Sequence, residues 1–401
     1  MWKLWGEKKM ISAIIKNEII KIFYRKKFLI CAIILLITAA FSVLIVNNGN
    51  GERGLEKAKN VQQYYKEQKR SVKDKAKIAE IQEHIDGIDN MIKDYEFEKS
   101  HPLAWKDTLK KDVKLMESVD DSKMEAVIKE QRKEEIAYKK YLLDNNVKPI
   151  SELEATGYIL FSNYIMILEY GMIVIFLAVV FMSIDSVSSE HTPPTLKLLL
   201  LRPITKSKLI FGKFLACTIS TSALVAIFNL LIFLFGEFVY GFDSFKYPVP
   251  IGPAFKHSSI QNVDLHKFIS VIPGTSGIIP LYKFLIEFMI LQIIFIIAAT
   301  SFCILVSTII KSNAAAASIA ILFGVVYIIF SNIPALSDMS YIKPAFFIAL
   351  GSPRTIITRQ IVQDTGAYYI NTLSASLIMI AWTIFFLAWS IIAAEKREEY
   401  I

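Results

Sequence analysis

Apolar residues gather in long runs along the chain, with polar and charged residues between them. A helix crossing a bilayer core needs roughly 20 apolar residues. Six runs qualify: Phe28 to Val46, about Tyr158 to Ile184, about Leu209 to Tyr240, Leu281 to Ile310, Ala314 to Asn332, and about Ser374 to Ala394. The first is framed by Arg25-Lys26-Lys27 and Asn47-Asn48-Gly49. As helix it covers about 28 Å, and a signal anchor fits its length and long basic lead better than a cleaved signal peptide. The third exceeds what a bilayer requires, so it must tilt, break or extend beyond the membrane. The pattern predicts an all-α, polytopic membrane protein with six transmembrane helices. Before the first span, Ile11, Ile14, Ile15, Ile19, Ile22 and Phe23 recur at helical spacing among Lys16, Asn17, Lys21 and Arg25. This predicts an amphipathic helix. It reads either as a basic leader that sets topology or as an elbow helix packed beside the bundle.

Residues 48–157 break the pattern, since no apolar run there can span. Ile78, Ile81, Ile85, Ile88 and Ile92 step by three and four, which is a coiled-coil seam. The second half is weaker, and His101-Pro102 disfavours helix just before the proline. The simplest prediction is a helical hairpin with arms about 57–100 and 104–145; a shorter hairpin, kinked at Gly87 and at the Asp120-Asp121-Ser122 break, fits the sequence equally well. It reads as a solvated stalk or as a reader of an extracytoplasmic partner. The organisation is therefore 1–47 (amphipathic helix and first span), 48–157 (extracytoplasmic hairpin) and 158–401 (the remaining five spans), with a connection at 185–208.

Composition sharpens this division. The chain is 54% hydrophobic and 20% charged, against about 45–50% and about 25% in ordinary soluble proteins. A single soluble domain is excluded. Residues 48–157 hold 22 Lys/Arg and 23 Asp/Glu, a net −1, and the remaining 23 basic and 14 acidic residues leave +9. Those positives are unevenly placed. Eight precede the first span, four (Lys197, Arg202, Lys206, Lys208) follow the second, and Lys311, Lys396 and Arg397 complete one side. The loops 241–280 and 333–373 carry three each. The excess marks the cytoplasmic side, with both termini there. It explains the charge as topology and contact with anionic lipid, and excludes nucleic acid as a partner.

No catalytic pattern is present. There is no GxxxxGK[ST] loop, because Ser207 stands where Gly212-Lys213 would need its first glycine. There is no HExxH, no GxSxG and no paired-histidine spacing. Cys31, Cys217 and Cys303 lie in apolar runs and read as small hydrophobes. The chain is not an enzyme and holds no metal or cofactor of its own; energy must come from another subunit or from an ion gradient. Within the spans, Glu169 falls near mid-membrane, where a charged carboxylate must be paired, protonated or hydrated. Asn163, Asn229 and Gln292 are its candidate polar neighbours, and together these residues are the candidates for a transport path. Glu237, near an outer helix end, is expected to reach water. The 333–373 loop, punctuated by Pro and Gly, suits short re-entrant or interfacial helices.

The connection after the second span reads Glu190-His-Thr-Pro-Pro-Thr195-Leu196-Lys-Leu-Leu199-Leu-Leu-Arg202-Pro203, followed by Gly212-Lys213. Its leucines predict a short helix bounded by prolines, with an apolar face too short to span. Glu190, Thr195, Leu196, Leu199, Arg202, Pro203, Gly212 and Lys213 resemble the motif of ABC-2 type transporter permeases, most nearly the branch that includes the nitrous-oxide-reductase maturation permease. Pro194 stands where that family usually has Gly, so the local turn differs. The overall plan, with a large loop between the first two spans, is also similar. The resemblance implies an exporter-type permease subunit in a bacterial plasma membrane, paired with a second permease chain, the same or homologous. It implies separate cytoplasmic ABC ATPase subunits that carry ATP and Mg and dock on the 186–205 helix. A mechanotransmitting or sensory protein acting on an extracytoplasmic partner, and a gradient-driven transporter using Glu169, are the alternatives.

Overall fold

The computed structural model describes residues 2–72, 74–101, 104–120, 124, 126–151, 153–169, 173–190, 205–242, 245–262, 267–331 and 333–396. The protein is mostly helical. Helix α1 (Trp2–Tyr24) leads into α2 (Lys27–Gly49) through a turn in which Lys26 adopts a left-handed conformation, φ 57°. Among the described residues, five helices are long and apolar enough to cross a membrane. They are α2, α9 (Lys206–Tyr240), α10 (Leu281–Ile309), α11 (Asn313–Ser331) and α14 (Thr372–Lys396). Helix α9 has no break over its 35 residues and starts at a Thr205 cap. The long third run thus forms one helix of about 52 Å.

The second run departs from expectation. It forms two helices, α7 (Gly157–Glu169) and α8 (Ile173–Ser183), inclined to each other by 61°. Two glycines bring α7 against α9. A Cβ on Gly157 would lie 2.8 Å from the Glu237 backbone nitrogen, and one on Gly236 would lie 3.2 Å from Gly157 Cα. Glu237 is buried at this crossing, 2% exposed, and does not reach water. The centre of the bundle is α10, which packs along α14, α8 and α9 and buries Phe288, Phe295, Ala299 and Cys303.

The 48–157 region is not one pair of long arms. It forms α3 (Gly51–Ser71), α4 (Lys75–Ser100), α5 (Trp105–Ser118) and α6 (Ala126–Asp144). Helix α3 packs on α4, and α5 packs on α6. The isoleucine seam faces inward, with Ile81, Ile85 and Ile92 buried. The first arm is divided near 72–74, where Asp74 caps α4, while Gly87 lies inside an uninterrupted helix. At the base, the Gly51 N–H donates to Leu153 O at 2.6 Å and Asn50 Nδ2 to Glu154 O at 3.2 Å.

The loop after α9 holds strands that its sequence had not suggested. β1 (Pro248–Ile251) pairs antiparallel with β4 (Gly277–Pro280), and β2 (Phe255–Asn262) with β3 (Lys267–Val271). Helix α6 lies against β1 and β4. The buried Glu130 carboxylate accepts hydrogen bonds from Gly274 N, at 2.9 Å, and from Ser276 Oγ, at 2.7 Å. Tyr138 and Tyr247 join hydroxyl to hydroxyl at 2.8 Å. After α11 come 3₁₀ turns at Pro334–Ala345 and Phe347–Leu350, then the short helices α12 (Pro353–Ile357) and α13 (Gln360–Thr365). Arg359, with φ 60°, donates to Gly252 O and Thr275 O and so fastens these helices to the strands.

Candidate functional site

The connection between the second and third spans begins at a junction of several helices. Residues 185–190 follow α8 and end in a 3₁₀ turn, Ser188–Glu190. Asp185 accepts from Lys27 Nζ and, at 3.0 Å, from Arg25 Nη1; Arg25 also donates to Ser189 Oγ at 3.0 Å. The three basic residues that frame the first span thus supply two cations to this turn. The Ser307 hydroxyl of α10 accepts from Val187 N and Ser188 N at 3.1 and 3.0 Å. Ser188 Oγ donates to Asn313 Oδ1 of α11 at 2.6 Å.

Helices α9 and α1 close the junction from the other side. Lys213 is 1% exposed, donates to the Ser186 carbonyl, and lies 3.6 Å from Glu18. Glu18 is itself buried and is also held by Lys21 at 2.7 Å. A buried ion pair is tolerated only when its remaining polar atoms are also satisfied. Here the backbone carbonyl and the second lysine serve that end. The neighbouring residue, Gly212, lets α1 approach, because a Cβ there would lie 2.7 Å from Ile14 Cγ2. Movement of 185–190 is therefore opposed by contacts to the α1–α2 turn, α2, α9, α10 and α11 together.

Of the residues singled out in the connection, Glu190 ends the 3₁₀ turn; Thr195, Leu196, Leu199, Arg202 and Pro203 lie outside the described residues. The sequence reading missed Asp185, Glu18, Lys27 and Ser307. One signal was available: Glu18 stands midway between Ile14 and Ile22 at helical spacing, an acid on an otherwise apolar stripe.

A second polar site sits at the break in the second span. Glu169 ends α7, buried, and accepts from Ser352 Oγ at 2.7 Å and from the Arg354 backbone N–H at 3.0 Å. The Arg354 guanidinium Nε lies 3.6 Å from Oε2, the oxygen that Ser352 also holds. Its partners come from the 333–373 segment, not from Asn163, Asn229 or Gln292. Asn229 instead donates to Gln292 at 2.6 Å, a buried bond tying α9 to α10. Asn163 is half-buried on α7. Among the described residues no cluster of His, Cys, Asp or Glu suits a metal ion, and the three cysteines are free and buried.

A bundle of apolar helices of this length, gathered at a polar junction, defines a multi-pass membrane protein. The chain belongs to the ABC-2 transporter family: the model of that family, described as ABC-2 family transporter protein, matches residues 12–398. No curated protein matches the chain in sequence. It is thus a permease subunit of an ABC transporter, a family that generally works with ATPase on a separate subunit.

Proposed function

We propose that the chain is the permease half of an exporter, similar in kind to the nitrous-oxide-reductase maturation branch, and that segment 185–208 couples it to cytoplasmic ATPase subunits. In this reading Glu190, Thr195, Leu196, Leu199, Arg202 and Pro203 form the surface pressed by the ATPase. ATP and Mg are bound by that partner, and a second permease chain completes the path. The termini and the junction are cytoplasmic, and the insert 48–157 is extracytoplasmic in a bacterial plasma membrane. The observation that carries this reading is the anchoring of 185–190. A short connection between spans needs no such bracing to turn the chain. It does need it to pass a displacement into several helices at once, which is what an ATP-driven lever requires.

The test is co-purification of the ATPase subunit with the full chain, combined with ATPase and transport assays. Glu190→Arg should release the ATPase. Asp185→Asn should keep the ATPase bound but loosen the brace, so that hydrolysis persists while transport falls about tenfold. Retention of both activities in the two variants would defeat the coupling role.

A further inference from the structure

Two cavities meet at one side chain. The first, about 550 Å³, lies between helix α6 of the insert and the strand loop, with Glu134, Glu135 and Tyr138 on one wall and Pro253, Phe255 and Gln363 on the other. The second, about 420 Å³, lies at the break of the second span, with Glu169, Asp364 and Lys343 among its lining. Arg354 lines both. Its Nε faces Glu169 at 3.6 Å in the inner cavity, and its Nη1 reaches Gln360 Oε1, on the outer side, at 3.4 Å.

We propose that Arg354 is a displaceable gate between these cavities and that the ligand which displaces it carries a positively charged amine. Glu169 is 6% exposed, and Arg354 is the one cation within ion-pair distance of it among the described residues. Withdrawing the guanidinium alone would leave a buried carboxylate uncompensated, a costly state. The gate therefore opens readily when another cation takes the seat or when Glu169 takes a proton, and the amine supplies the first route. The acid on the approach suits such a ligand. Glu134 is half-buried and forms no ion pair among the described residues; Glu135 is paired with Lys139 at 3.3 Å. In the inner cavity, once Arg354 is set aside, Glu169 and Asp364 face Lys343 alone among the lining side chains, an excess of one negative charge. Lys343 is held by the Ser331 carbonyl at 2.6 Å, and Lys267 by Ser340 at 2.9 Å. Apolar wall residues such as Phe255 and Ile361 would receive the body of an amphiphilic amine.

The test is cysteine accessibility in the full chain in lipid nanodiscs, which needs no ATPase and so fails or succeeds independently of the coupling role. Ile361 lines the inner cavity and is 6% exposed, and the natural cysteines are 0–1% exposed. Ile361→Cys should react slowly with a charged, membrane-impermeant methanethiosulfonate while Arg354 is present. It should react at least tenfold faster with Arg354→Ala. The double change Glu169→Gln with Arg354→Ala carries no unpaired buried carboxylate. It should label equally fast, so a folding failure of the single variant does not remove the test. In the Arg354→Ala background, n-butylammonium should protect the cysteine and butyrate should not, and protection should vanish with Glu169→Gln. Equal labelling with and without Arg354 would overturn the gate. Protection by butyrate, or protection surviving Glu169→Gln, would overturn the cation seat.

Discussion

Single side chains carry most of the specificity at the two ends of this molecule. The Glu18–Lys213 pair is buried on both sides, so removing one partner strands the other. Breaking such pairs costs roughly 3–5 kcal/mol, and Lys21, still 2.7 Å from Glu18, should reduce the loss to about 2 kcal/mol for Lys213→Met. Adding Glu18→Gln should recover most of it, a coupling that a double-mutant cycle on thermal unfolding in detergent would measure. Glu130, at 2% exposure, behaves differently. Burial alone would raise its carboxyl, but the Gly274 and Ser276 hydrogen bonds and the Lys133 charge outweigh that and hold it below the usual carboxylate range. Neighbouring Glu134 is pushed upward, first by burial and then by the Glu130 charge. Because the folded Glu130 value is depressed, its contribution is complete above the ordinary glutamate range and is lost as pH falls through the folded value. The protection factors of the Gly274 and Ser276 amides, taken against their intrinsic rates at each pH, should therefore fall on acidification, and Glu130→Gln should flatten that fall.

At the level of elements, helix approach is set by small residues in two places, and they differ in what they oppose. A methyl on Gly157 would meet backbone atoms of Gly236 and Glu237 at 2.8–2.9 Å, which cannot rotate away. A methyl on Gly212 would meet a side-chain methyl of Ile14. Gly157→Ala should thus separate α7 from α9 and lower the unfolding temperature markedly. Gly212→Ala should cost less and be largely relieved by Ile14→Ala. Equal losses in the two variants, read by the same thermal assay, would contradict this difference. The spans themselves were legible in the sequence because hydrocarbon demands long apolar runs: α2, α9, α10, α11 and α14 each fall within a few residues of the expected bounds. The polar site at Glu169 was not, since its partners, Ser352 and Arg354, stand nearly two hundred residues away. The strands at 248–280 were hidden for a related reason. Their pairing is non-local, and Pro248, Pro250 and Pro280 argue against strand when read singly. The isoleucine seam of α4 was legible as a helix face, but nothing in its period told that α3 and α4 would form one pair and α5 and α6 another.

Across the whole molecule, polar contacts concentrate at two ends joined by an apolar bundle. At one end the junction of 185–190 draws on α1, α2, α9, α10 and α11; at the other, α6 closes over the strands through Glu130 and Tyr138. The insert returns to its own starting point, with Gly51 N bonded to Leu153 O at 2.6 Å. Its removal between these residues, with a short Gly-Ser bridge, therefore imposes little strain on α2 or α7. Such a chain should still reach the membrane and keep the contacts of 185–190, because no junction residue is touched. What it should lose is the cover over the strand loop: Tyr247, buried against Tyr138 and Tyr158, becomes exposed. Hydrogen exchange across 248–280 should then rise several-fold while exchange across α10 stays unchanged. If α10 loosened as well, the two ends would be one cooperative unit, and the insert would be part of what holds the bundle together.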